Sequence, residues 1–187
     1  MSRSLIEATK EGDLGAARAL LAHKDINVNV ADEDEYTPLN WAAGYGYLEI
    51  VRALLAHEDI QVNKANKWAE TPLQLAASNG HLEIVQALLA RKDIKVNHQA
   101  DKNGSTPLMG AALNGRVSIV EILLQCPEVD INKVNNEGLT ALSQAKKTVY
   151  PYRKKEYLQI IRMLEARNAR EGVEGCHHPN NHDCILL

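Results

Sequence analysis

The chain contains no phenylalanine, and aromatic residues make up only 4% of its 187 positions. A core without many large flat side chains must be closed by alanine and branched aliphatics, which suits thin helices packed closely. Cysteine is scarce as well. Cys126, Cys176 and Cys184 are too few for a disulfide framework, and a reducing cytosol is the expected final compartment. No apolar run approaches the length of a membrane span. Met1-Ser2-Arg3-Ser4-Leu5 lacks an apolar h-region, so no Sec signal is expected. The net charge of −3 supplies no global basic field, and no nucleic-acid partner is expected. The sequence also has no Gly-rich phosphate loop, no nucleophile elbow and no metalloprotease helix. Neither an enzyme nor a cofactor is expected.

What the sequence does have is a recurring phrase. Tyr36-Thr37-Pro38-Leu39, Glu70-Thr71-Pro72-Leu73 and Ser105-Thr106-Pro107-Leu108 recur at spacings of 34 and 35, and a degenerate Thr140-Ala141-Leu142 follows 34 residues later. Between copies runs Leu48-Glu49-Ile50-Val51, then Leu82-Glu83-Ile84-Val85, then Ser118-Ile119-Val120, each followed by a Leu-Leu pair. Such a period means one supersecondary unit copied and stacked.

The copy at 66–100 reads directly as local structure. Thr71 suits an N-cap and Pro72 the first helical position. Leu73, Leu75, Ala76 and Ala77 predict a short apolar helix whose paired alanines admit a close neighbour. Gly80 stops it with a left-handed turn. His81 then opens a second helix, with Leu82, Ile84, Val85, Leu88 and Leu89 at helical spacing. Helices this short are marginal in isolation, so stacked neighbours must supply the core.

Thr-Pro-Leu-x-x-Ala-Ala, Asn-Gly-His-Leu-Glu-Ile-Val and Asp-Ile-x-Val-Asn together resemble the ankyrin repeat, over about residues 2–170. The resemblance implies an all-α solenoid of helix pairs with β-hairpin fingers. Five units are expected. Residues 2–31 form an N-terminal capping unit; 32–65, 66–100 and 101–134 are regular repeats; 135–170 is a modified C-terminal cap; 171–187 is a flexible polar tail. In the last unit Thr140 to Ile160 spans 20 residues, where Thr71 to Ile84 spans 13. Seven extra residues around Thr148–Tyr152 are therefore expected between its helices. Two departures from the family pattern stand out. One residue is added before each Val-Asn in the Asp-Ile-x-Val-Asn close. The hairpin glycine, present as Gly104 and Gly138, is replaced by Glu35 and Ala69. A different turn is expected at those two fingertips, because non-glycine residues resist positive φ.

The resemblance implies a protein partner on the fingers and the exposed face of the first helices. Carried onto this sequence, that surface comprises Glu33, Asp34, Tyr36, Tyr45, Lys67, Trp68, Glu70, Ser78, Asn79, Lys102, Asn103, Ser105, Leu113 and Asn114. Trp68 is the leading contact, since it falls on a fingertip and tryptophan is enriched in hot spots. Trp41 replaces the leucine equivalent to Leu75 and is expected in the core. Asp32-Glu33-Asp34-Glu35 makes the first finger acidic, suited either to steering a basic partner or to simple solvation. His81 matches a family position that ties neighbouring turns together, while His23 and His57 read as surface residues.

The last four residues, Cys184-Ile185-Leu186-Leu187, match a prenylation box whose terminal leucine favours geranylgeranyl. Cys184 is the expected lipidation site, a prenyltransferase of a host cell its modifying partner and a membrane surface its destination. One chain anchors only marginally. A second signal is available either as Cys176, by acylation, or as the basic block Lys146, Lys147, Arg153, Lys154, Lys155, Arg162, Arg167 and Arg170. Residues 146–170 carry 8 Lys/Arg against 2 Asp/Glu. A rival reading of the tail is a zinc site on Cys176, His178, His182 and Cys184, although the spacing is not that of a known finger. Repeats joined to such a box resemble ankyrin effectors that intracellular bacteria inject into eukaryotic cells. That resemblance implies a non-catalytic adaptor on the cytosolic face of a host membrane. The alternative is a soluble cytosolic scaffold or inhibitor with an unused terminal box.

Overall fold

The computed structural model describes residues 4–100, 103–147 and 154–175, with side chains as far as residue 169. Ten helices follow one another among these residues: α1 (Leu5–Lys10), α2 (Leu14–Leu21), α3 (Pro38–Tyr45), α4 (Leu48–Leu55), α5 (Pro72–Asn79), α6 (Leu82–Leu89), α7 (Pro107–Leu113), α8 (Val117–Gln125), α9 (Ala141–Lys147) and α10 (Lys154–Gly175). They form five pairs. The odd-numbered helices pack neighbour on neighbour in one row, and the even-numbered helices in a second.

The starts of α3, α5 and α7 are built by the recurring phrase. Thr71 Oγ1 accepts from Gln74 N at 3.4 Å, and Gln74 Oε1 accepts from Thr71 N at 2.9 Å. This is a reciprocal capping box with Pro72 at the first helical turn. Thr37 and Asn40 repeat it. The amide side chain that follows Thr-Pro-Leu then reaches outward. Asn40 Nδ2 donates to Lys64 O at 3.1 Å, and Gln74 Nε2 donates to Ser105 O at 2.7 Å. One side chain thus caps its own helix and fixes the register of the next finger.

The core lies between the two rows. Leu39, Leu73 and Leu108 of the first helices meet Val51, Leu54, Val85, Leu88, Val120 and Leu123 of the second, all fully buried. Ala42, Ala43, Ala76, Ala77, Ala111 and Ala112 are equally buried, and their small size lets the first helices approach. At the turns inside each pair, Gly46 and Gly80 take φ of +85° and +95°. A Cβ at Gly46 would lie 2.6 Å from the ring of His81, and one at Gly80 would lie 2.9 Å from the Arg116 guanidinium. His81 Nε2 lies 3.0 Å from Gly44 O, so the expected tie between neighbouring turns is present.

The added residue in Asp-Ile-x-Val-Asn leaves the stack intact because the asparagine clamps the next repeat. Asn29 Nδ2 donates to Asp59 O, and its Oδ1 accepts from Gln61 N. Asn63 does the same to Asp93 O and Lys95 N, and Asn97 to Glu128 O and Asp130 N. His23 is exposed; His57 is half-buried, its Nδ1 accepting from Asp59 N at 3.3 Å.

The fingers depart from expectation in two ways. They are tight turns too short for a regular strand among the described residues. Asn66 N donates to Glu70 O at 3.1 Å, and Lys67 N bonds the previous finger at Asp34 O, also at 3.1 Å. The turn itself does not change where glycine is missing. Glu35 and Ala69 adopt φ of +62° and +55°, close to +68° at Gly104 and +73° at Gly138. An acceptor at the start of the finger enforces this: Asp32 Oδ1 accepts from Asp34 N and Tyr36 N, and Asn66 Oδ1 from Trp68 N and Glu70 N. Side-chain hydrogen bonds and finger stacking outweigh the steric preference of one residue.

The last helix is long. Tyr157, Ile160 and Leu164 bury one face of α10, with Tyr157 Oη donating to Leu113 O at 2.6 Å. Its backbone stays helical to Gly175, so residues 171–175 of the expected flexible tail are helical instead. The insertion around Thr148–Tyr152 lies outside the described residues, as do Arg153, the side chain of Arg170, and the tail positions Cys176, His178, His182 and Cys184. No helix among the described residues is long and apolar enough to cross a membrane.

Candidate functional site

Five of the eight aromatic residues of this aromatic-poor chain gather on one face. Tyr36 at the first finger stacks on Trp41 of α3 with centroids 4.5 Å apart, and Trp41 stacks on Tyr45 at 5.3 Å. Tyr45 continues to Tyr47 at 5.7 Å. On the other side Tyr36 meets the Trp68 ring edge-on at 5.9 Å. The result is a continuous strip from the turn after α3, across the first helix, to the tip of the second finger. Tyr45 is 52% exposed, the largest value among the exposed large hydrophobic side chains. The other four are half-buried.

Cations and carboxylates hold the strip in place. Lys10 Nζ lies 4.4 Å from the Trp41 ring centroid and 3.0 Å from Asp32 Oδ2. The Trp41 indole donates to the same oxygen at 2.9 Å. Burial works against the Asp32 carboxylate, but hydrogen bonds from Lys10, the indole and Tyr36 N–H outweigh it and hold its pKa below the ordinary value. At the far end Lys67 Nζ sits 4.5 Å above the Trp68 ring and pairs with Asp34. Burial, reinforced by Glu70 and then by Asp34 and Asp32, pushes the Tyr36 hydroxyl pKa up.

The positions expected to meet a partner divide into two groups. Glu33, Asp34, Tyr36, Tyr45, Lys67, Trp68 and Glu70 belong to the strip and its rim, and exposed Asn103 stands on the next finger beside it. The others serve the stack. Asn79 Nδ2 donates to Gly44 O, Ser78 O accepts from Arg116 Nε, and Asn114 Nδ2 donates to Gly110 O. Leu113 is half-buried and its carbonyl receives Tyr157 Oη. Ser105 is half-buried, its N–H bonded to Asn103 Oδ1. Lys102 lies outside the described residues.

Trp41 was expected in the core and is instead the centre of the strip. Its register is that of Leu75, which is itself half-buried at the edge of the first-helix row. An indole also needs a hydrogen-bond acceptor, and Asp32 supplies one only on the finger side. The signal was available in the sequence: Trp41 and Tyr45 stand four apart on one helix face. Tyr47, Lys10 and Asp32 were also missed as members of the site. The acidic run is correspondingly less free than its charge suggests, because Asp32 and Asp34 are paired within the fold.

The family description "Ankyrin repeats" matches this chain in three overlapping stretches, residues 5–100, 57–135 and 92–167. The chain belongs to the ankyrin-repeat family. Ankyrin repeats bind proteins and are in general non-catalytic. A 49-residue stretch is 49% identical to human ankyrin repeat domain-containing protein 49, covering 26% of this chain and 20% of that protein. The mouse protein of the same name is 41% identical over 49 residues, covering 26% and 21%. The chain thus spans about a fifth of the length of these relatives. No group of three or more His, Cys, Asp or Glu side chains stands close enough to hold a metal among the described residues of this ankyrin stack.

Proposed function

We propose that this ankyrin stack is an adaptor that holds a protein partner on the strip from Tyr45 through Trp41 and Tyr36 to Trp68. The supporting observation is the concentration of scarce aromatics on one accessible face. Tyrosine and tryptophan bury large area at low entropy cost, and they dominate hot spots. The core gains little from them there, since aliphatic residues already close it. The test is affinity capture from eukaryotic lysate with wild type and Trp68→Ala, quantified protein by protein. Partners held by wild type should fall at least tenfold with Trp68→Ala, while the helical circular dichroism signal and unfolding midpoint stay near wild type. Equal recovery on both would overturn the reading.

The adaptor's place is the cytosolic face of a membrane, reached by prenylation of Cys184, in a host cell after secretion of the bacterial-effector kind. This part rests on the sequence Cys184-Ile185-Leu186-Leu187 and on the resemblance of the repeats alone. Exposed Lys154, Lys155 and Arg162 on α10 are available as a second, electrostatic signal toward an anionic leaflet. Lys146 and Lys147 are paired with Glu165 and Glu137, and Arg167 donates to Leu124 O, so these three contribute less. In eukaryotic cells Cys184→Ser should abolish incorporation of a labelled isoprenoid precursor and release the protein from membranes. Equal labelling of the variant, or no labelling of either form, would contradict this. A cytosolic distribution unchanged by Cys184→Ser favours the soluble scaffold instead.

A further inference from the structure

Between the second and third fingers lies a cleft of about 300 Å³ lined by Tyr36, Trp68, Glu70, Ala100 and Asn103. Two aromatic rings meet at an interplanar angle of 65°, one offering an edge and the other a face. A carboxylate stands beside them, and it is held in place: Glu70 Oε2 accepts from Asn66 Nδ2 at 2.9 Å, while Glu70 N donates to Asn66 Oδ1 at 2.9 Å. Asn103 on the facing wall is fixed as well, its Oδ1 accepting from Ser105 N and its carbonyl from Asn136 N.

We infer that this cleft receives the guanidinium of an arginine carried by the protein partner. The inference rests on the adaptor reading above and specifies one part of its partner. First, the half-buried Trp68 ring lines the cleft and is of the kind that takes a cation, while Lys67 Nζ, 4.5 Å from its centroid, is charge-compensated by its pairing with Asp34. Second, the local field is negative. Glu70 lines the cleft, Asp34 and Asp32 stand near Tyr36, and Lys67 and Lys10 pair with the last two; beyond the larger effect of burial, all three carboxylates push the Tyr36 hydroxyl pKa up. Third, an aromatic ring and a carboxylate line the same cleft, the pair of groups that a planar cation uses together. A guanidinium can stack on a ring and direct its N–H fork at a carboxylate. Fourth, two rings do not enclose a quaternary ammonium, which needs aromatic walls on several sides. A lysine ammonium would gain the charge contact but not the stacking.

The test uses the whole protein and the probe N-acetyl-arginine amide. The chain has two tryptophans, so it gives two indole N–H resonances, and Trp68→Ala assigns one by its loss. The Trp68 resonance should shift saturably with this probe and stay unmoved by N-acetyl-citrulline amide, its uncharged isostere. Glu70→Gln, which keeps an oxygen for Asn66 Nδ2, should weaken the response at least fivefold without changing the unfolding midpoint. Equal shifts from the two probes, no shift from either, or an unaltered response in Glu70→Gln would overturn the inference. The adaptor reading fails separately. Capture lost with Trp68→Ala but fully retained with Glu70→Gln overturns the guanidinium cleft and leaves the adaptor standing. Saturable arginine binding with capture unaffected by Trp68→Ala does the reverse.

Discussion

At the scale of single residues, position in the repeat decided more than residue type. Ala69 and Glu35 occupy a left-handed turn that glycine would adopt without steric cost. A non-glycine residue there stores about 1 kcal/mol, partly offset by the entropy that glycine would lose on folding. Ala69→Gly should therefore raise the unfolding free energy by about 0.5 kcal/mol in urea denaturation, with the slope unchanged. A loss of stability would show that the alanine methyl makes a packing contact outweighing the strain. Trp41 teaches the complementary lesson. Hydrophobicity alone sent it to the core, but its polar N–H and the half-exposed register of its helix position sent it to the strip. That outcome was legible in the i, i+4 pairing with Tyr45. The Asp32 acceptor was not, because Asp32 is reached through the turn of a finger and not along a helix.

At the scale of elements, the first helices of the regular pairs were readable because they carry their own start and stop. Thr-Pro at the start and glycine at the end are local signals, and they match α3 and α5 residue for residue. The contacts between elements were less readable. Nothing local announces that Asn29, Asn63 and Asn97 each clamp the next outer loop, since their partners stand 30 to 33 residues away. Only the stack brings them together. Asn63→Ala removes two inter-repeat hydrogen bonds, to Asp93 O and Lys95 N, and at this exposed site should cost about 1 kcal/mol. Amide hydrogen exchange should then rise at Lys95 while α5 remains protected. Unchanged exchange at Lys95 would mean that the loops are held by Ile60, Val62 and Val96 in the core and not by the amide clamp.

At the scale of the whole molecule, two rows of helices form one core, and the fingers carry exposed Glu33, Glu35, Lys67 and Asn103 at its edge. The core is closed mainly by aliphatics and alanines, and the proposed recognition falls to Tyr45, Trp41, Tyr36 and Trp68, which are absent from that core. The scarcity of aromatics gives their clustering its meaning. The fold could be argued from periodic phrases, whereas the strip could not, because it joins the ends of α3 to two separate fingers. The identity of the partner is written in no transferable code, so the surface itself must be interrogated. The most direct measurement places a photo-crosslinking benzoylphenylalanine at position 45, on the exposed end of the strip, and in a separate chain at position 92, on the exposed outer loop after α6. Irradiated in eukaryotic lysate, position 45 should yield a discrete protein adduct and position 92 none. An adduct from position 92 with none from position 45 would contradict the assignment of the aromatic strip as the binding face.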